Sequence, residues 1–239
     1  MMKKLLWIVS ILSILSGCNQ DNIRPSGKTT TLKYDQLDFN GITVSNAFKI
    51  TIIPGQTDSY AELEIDENLA PHTKVTVENG ILMIGLEPNI SVKGNPVMSG
   101  KVYAVNEIRS LNISGASKVS VSDSLISKIL KLAISGASEL EALLNVRNLT
   151  ASLDGASKVS FTGEAKDLNY KLSGASSAQG YDLITRSSIL DLSGASSCKV
   201  YVTDSLSVVA SGASSVKYKG SPVVFRSDIS GASSLDNAN

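Results

Sequence analysis

The side chains that first suggest chemistry are serines. A four-residue phrase occurs seven times in the 239-residue chain: Ser114-Gly115-Ala116-Ser117, then copies beginning at Ser135, Asp154, Ser173, Ser193, Ser211 and Ser230. A serine hydroxyl becomes a nucleophile only beside an activating base. The single histidine, His72, follows Pro71 in a turn-like stretch and reads as an exposed loop residue. One histidine cannot serve seven equivalent serines as a Ser-His-Asp base, and it leaves no His-based metal cluster. Gly-x-Ser-x-Gly is absent, as are calcium-binding Gly-Gly-x-Gly-x-Asp repeats. Asp154 and Asp191 fall at different repeat positions, whereas a carbohydrate-active β-helix enzyme needs acids gathered in one cleft. The expectation is a non-catalytic protein with no catalytic, cofactor-binding or metal-binding residues. The alternative is a carbohydrate-active β-helix enzyme, polysaccharide lyase or hydrolase-like.

The two cysteines read differently. Met1-Met2-Lys3-Lys4 is a charged start, and the apolar run Leu5 to Leu15 is too short to span a bilayer as a helix. Leu15-Ser16-Gly17-Cys18 follows and matches the bacterial lipobox, a resemblance to lipoprotein signal peptides generally. It implies that residues 1–17 are a signal peptide and that Cys18 is the lipid attachment site, carrying acyl chains such as palmitate. Several chains, at about 0.8 kcal/mol per buried CH₂, anchor a protein stably where one does not. Asn19 supplies no inner-membrane retention signal, so the expected address is the cell envelope, at the outer membrane, with neither leaflet favoured. Cys198 is then the one remaining thiol; no intramolecular disulfide forms, and the position reads as a small buried hydrophobe.

The elements that position these residues follow from spacing. The phrases are 21, 19, 19, 20, 18 and 19 residues apart, a period that marks a solenoid. One residue before each phrase stand Ile113, Ile134, Leu153, Leu172, Leu192, Ala210 and Ile229. Five residues after each phrase begins stand Val119, Leu140, Val159, Ala178, Cys198, Val216 and Leu235. Apolar and polar residues alternate on both sides of the phrase, which predicts strands with one buried face, each about five residues long. Ser122-Asp123-Ser124, Thr162-Gly163-Glu164, Thr203-Asp204-Ser205 and Gly220-Ser221-Pro222 read as turns between repeats. The predicted fold is all-β: a single-stranded right-handed parallel β-helix with coils of about 19 residues. The phrase is its corner. Glycine supplies positive φ, and the last serine of each copy points inward toward backbone carbonyls.

The rest of the chain divides around these repeats. Residues 18–37 read as the lipidated Cys followed by a flexible tether, with Pro25, Ser26 and Gly27. Residues 38–105 carry strand patterns without the phrase, including Asn79-Gly80 between apolar runs, a hairpin signal. They form either a β-rich N-terminal cap or irregular first coils. Residues 106–239 are the repeats.

Phe39-Asn40-Gly41-Ile42-Thr43-Val44, the stretch Val75 to Leu86 and the recurring Ile-Ser-Gly-Ala-Ser together resemble a known family, the putative auto-transporter adhesin, head GIN domain proteins. The resemblance covers about residues 38–235. It implies an exported, often lipidated β-helix that binds rather than catalyses, and it carries over no binding residues. An autotransporter ends in a membrane β-barrel, whereas this sequence runs only to Asn239, so the lipid on Cys18 is the expected route to a surface.

Lys+Arg and Asp+Glu both number 22, and no like-charge block stands out. Nucleic acid and other polyanions are therefore poor partners on overall charge. The expected partners are the membrane, through Cys18, and glycans, host proteins or envelope proteins, with self-association through the open end of the β-helix as a further candidate. Tyr181, Tyr201 and Tyr218 are expected near one another on the late coils. The expected role is adhesion, surface binding or scaffolding.

Overall fold

The computed structural model describes residues 21–239; the expected signal peptide, residues 1–17, and the expected lipid attachment site, Cys18, lie outside the described residues. Strands account for about 65% of the structure and helix for about 1%. The N-terminal strands are β1 (Asp21–Ile23), β2 (Thr29–Tyr34), β3 (Gly41–Val44), β4 (Lys49–Pro54) and β5 (Tyr60–Asp66). A 3₁₀ turn at Ala70–His72 leads to β6 (Thr73–Glu78), β7 (Ile81–Leu86), β8 (Ile90–Val92) and β9 (Met98–Ala104). The repeats supply β10 (Ser110–Ile113), β11 (Lys118–Val121), β12 (Leu125–Ile134), β13 (Glu139–Leu153), β14 (Lys158–Leu172) and β15 (Ser177–Leu192). The last strands are β16 (Ser197–Ala210), β17 (Ser215–Lys219), β18 (Val223–Ile229) and β19 (Ser234–Asn237).

The repeats form a β-solenoid of about 7 turns. After each phrase the chain runs along a front face, where β11, the first halves of β13 to β16, β17 and β19 stack in parallel. It returns along a back face built from β10, β12, the second halves of β13 to β16 and β18. The columns before and after the phrase meet between the faces, and Ile113, Leu153, Val159, Leu172, Cys198 and Val216 are all buried there.

One expectation about the coil changes. Thr162-Gly163-Glu164 does not end a strand; it lies inside β14, and β13 to β16 each run unbroken from one phrase toward the next. The second corner is a bend. In β13, Arg147 and Asn148 both face outward between buried Val146 and Leu149, and Lys166 and Asp167 do so in β14. Ladder pairing holds the backbone on either side of the bend and skips only the corner residue, Lys128, Arg147, Lys166 or Arg186, so the turn interrupts the pairing by a single position.

The N-terminal region is both first coil and cap. β3 and β4 pair in parallel with β10 and β11, as a coil preceding the repeats, with Ser45-Asn46-Ala47-Phe48 at the corner. A further layer, β7 and β9, stacks in parallel on β3 and β4. Beyond it β5 and β6 run antiparallel to β9 and β7, and β2 closes the stack antiparallel to β5. The reversal ends the coil repeat and covers its apolar cross-section.

The tether expected at 18–37 is corrected from Asp21 on. β1 pairs with β8, and β2 is the outermost strand of the cap. Its Thr30, Leu32 and Tyr34 are half-buried on one side, an alternation that the run of threonines hides. The buried Asp66 carboxylate fixes this segment: it accepts from the Gly27 N–H at 2.8 Å and the Val97 N–H at 2.8 Å. The opposite end of the solenoid is finished differently, since β18 is exposed along its whole length.

Candidate binding face

The seven phrases are structural. The last serine of six copies is buried: Ser117, Ser138, Ser157, Ser176, Ser196 and Ser214. Ser157, Ser176 and Ser196 each donate to the backbone carbonyl three residues earlier, at 2.7 Å. Ser138 is the exception, with no partner for its hydroxyl among the described residues. Ser233, in the last coil, is only half-buried. Corner backbone adds its own ladder: Ala175 N–H donates to the Gly155 carbonyl, and Ala213 N–H to that of Gly194, both at 2.7 Å. Inward serines bonded to carbonyls have no base beside them and no route to a substrate.

The other chemistry-bearing residues do not converge. His72 stands at the cap, its Nδ1 3.2 Å from Glu87 Oε2, with both side chains substantially exposed. Asp154 takes the first place of its phrase and accepts from Ser173 Oγ at 2.7 Å; that bond, with one from the Gly155 N–H, holds its carboxyl below the usual range. Asp191 sits on the back face, in the column Ser152, Lys171, Asp191, two coils on and in a different row. Glu107 is also pushed down, first by the Lys128 N–H and then by the Ser127 hydroxyl. A general acid of the glycosidase type needs a raised carboxyl beside a second one, and these shifts run the other way. Among the described residues no group of three or more His, Cys, Asp or Glu could hold a metal ion.

Cys198 is fully buried, and burial pushes its thiol up to about 12. It packs in the column of Ala178 and Val216, the role its spacing predicts.

The outward positions of the front face differ between its two halves. In the upper half, on the coils nearest the N-terminal cap, charge is neutralised locally: Lys118 Nζ lies 3.2 Å from Glu139 and 3.6 Å from Glu141. At the cap, Tyr60 and Tyr103 stack with ring centres 4.0 Å apart, and Lys33 lies 5.3 Å from the Tyr60 centre.

The lower half gathers lysines around tyrosines. Gln179, Lys199, Lys217 and Asp236 form one row, and Lys219 stands beside Tyr201 on the neighbouring coil. Lys219 Nζ lies 4.8 Å and Lys199 Nζ 5.8 Å from the centre of the Tyr181 ring. Tyr181 and Tyr201 are both half-buried. None of Lys199, Lys217 and Lys219 is in an ion pair among the described residues. Ammonium groups over a ring gain about 0.5–1 kcal/mol each at exposed sites. At these distances the Tyr181 ring draws both ammoniums toward it.

Of the three tyrosines expected together, Tyr181 and Tyr201 lie beside these lysines, whereas Tyr218 pairs with buried Val200 and packs against the core; the lysines are not among the expected residues. Lys199 and Lys217 occupy the same place, six residues after the start of their phrases, so the repeat alignment contains the signal. A net charge of zero conceals it, because the acids of the same coils, Asp204 and Asp228, pair with Arg186 and Arg226 instead of with these lysines.

Comparison with known proteins bears on the fold and its family. The model of the family described as putative auto-transporter adhesin, head GIN domain, matches residues 38–222. The structure is similar to that of a putative adhesin from Bacteroides fragilis: 21% identity, TM-score 0.81, covering 90% of this chain and 99% of that one. A "putative lipid binding protein" from Parabacteroides distasonis follows at 19% identity and TM-score 0.73, covering 92% and 100% of the two chains. A putative adhesin from Parabacteroides merdae has 16% identity and TM-score 0.68, with the same coverage, 92% and 100%. At such identities the likeness is one of fold. No curated protein matches the chain.

Proposed function

The chain belongs to the putative auto-transporter adhesin, head GIN domain family, and on that premise we propose that it is a non-catalytic binding protein of the cell envelope that takes an anionic glycan on the lower front face. The observation that carries the reading is the pair of lysine ammoniums held over Tyr181, with Lys217 in line with Lys199 and none of the three paired. A uronate or sulfated sugar fits this chemistry. Its carboxylate or sulfate meets the ammoniums, and the apolar side of the ring lies against Tyr181 or Tyr201. The coil spacing of about 4.8 Å sets the lysines in a row, a spacing suited to an extended polymer with regularly placed charges. A glycan array probed with the full chain tests this. Binding confined to acidic glycans and lost in Tyr181→Ala/Lys199→Glu is expected; binding to neutral glycans, unchanged in the variant, is the contrary result.

The same reading includes the anchor. We propose that Cys18 carries lipid and holds the protein at the outer membrane. The lipobox match and the family's adhesin character support this. Cys18→Ser should release the protein from the membrane fraction and abolish incorporation of labelled palmitate. Retention of both in the variant would refute the anchor and leave the glycan reading standing.

A further inference from the structure

We infer that two copies of this chain join end to end through their C-terminal coils, with β18 pairing antiparallel to itself across a two-fold axis at Ser227. The cap covers one end of the solenoid with reversed strands, but the last coil has neighbours on one side only: β18 pairs with β16, and β19 with β17. An edge strand with free N–H and C=O groups is a template for another strand. This edge is also apolar. Val223 is 69% exposed and Phe225 62%, and Ile229, buried at the equivalent place in other coils, is 37% exposed. Phe225 is the extra residue of a bulge, without a partner in β16.

The choice of a second copy as occupant comes from the order of residues along β18. The strand reads Val223-Val224-Phe225-Arg226-Ser227-Asp228-Ile229. Reversed about Ser227, it places Arg226 opposite Asp228 of the second copy, and Phe225 opposite Ile229. Both members of the charged pair are more than half exposed, and within one copy they already lie 2.7 Å apart. Pairing two copies would surround each guanidinium with two carboxylates, and each carboxylate with two guanidiniums. An interface made by one patch meeting itself must be self-complementary in this way, and cross-strand pairs of opposite charge favour it where like charges oppose it. Such a pair is a rod with its N-terminal ends farthest apart. With the Cys18 anchor proposed above, the two lipids would enter facing membranes, as a contact between two surfaces needs.

Sedimentation of the full chain in mild detergent, at micromolar concentration, tests the pairing. The wild type is expected as a dimer. Arg226→Asp and Asp228→Arg should each give monomer, by setting like charges opposite, and the double exchange Arg226→Asp/Asp228→Arg should restore the dimer. A second measurement does not depend on charge. Residues facing each other across antiparallel strands lie within disulfide reach, so Ser227→Cys should cross-link into a dimer under oxidation, and buried Cys198 should not. A monomeric wild type, single variants that dimerise as well as wild type, or an uncross-linked Ser227→Cys would each overturn the inference.

Discussion

Burial pushes the Cys198 thiol up to about 12 from an ordinary 9.0, and burial likewise raises the fully buried Tyr170 hydroxyl well above its ordinary value. Both groups are neutral when protonated, so the fold favours the protonated form over the unfolded chain. Their contribution to stability is therefore whole below pH 9 and declines as pH rises toward 12. The urea midpoint should fall steeply on going from neutral pH to about pH 11, the thiol alone accounting for up to about 3 kcal/mol. Cys198→Ala, matching its neighbour Ala178 in the column, should flatten part of that fall. The native thiol should resist alkylation near neutral pH and react at the unfolding rate; rapid labelling of folded protein would contradict its burial. This environment was legible from spacing alone, because the repeat places Cys198 among Val, Leu and Ala. The inward turn of the last serine was legible for the same reason. The lysines over Tyr181 were not, because each lysine is ordinary in its own coil and becomes a patch only when coils are aligned.

At the scale of the coil, glycine does two things at once. Gly174 has φ +70°, and a Cβ there would stand 2.5 Å from the Gly155 carbonyl oxygen one coil away. Gly55 has nearly the same φ, +72°, with nothing within 4 Å of the added atom. The two substitutions separate backbone strain from stacking. Gly55→Ala should cost about 1 kcal/mol, the strain alone. Gly174→Ala should cost about 3 kcal/mol or more, since its Cβ meets backbone that the Ala175–Gly155 hydrogen bond holds at 2.7 Å. Chemical denaturation of both variants measures the difference; equal costs would mean that the corners are not tightly stacked.

The element scale is also where the sequence misled. The polar look of Thr29-Thr30-Thr31 concealed the outermost strand of the cap. The antiparallel strands β5 and β6 alternate just as parallel ones do, so periodicity could not tell cap from coil. Nor could it show that β3 and β4 lie between the β7–β9 layer and the β10–β11 coil, an order that differs from that of the chain. Repetition made the solenoid readable, and its absence made the cap unreadable.

For the whole molecule, cap, faces and open end divide the work. The cap seals the core, and the phrase builds coils of nearly constant shape. The outward positions, free of packing duties, vary from a self-neutralised upper front face to a lysine-rich lower one. Binding of the full chain to polygalacturonate and to chondroitin sulfate, titrated against rising salt, tests this division most directly. The account predicts binding that weakens with salt and falls on the order of tenfold or more in Lys199→Glu/Lys219→Glu, from the loss of two exposed charge contacts and the repulsion that replaces them. No binding to either polymer, or equal binding by the double variant, would contradict it.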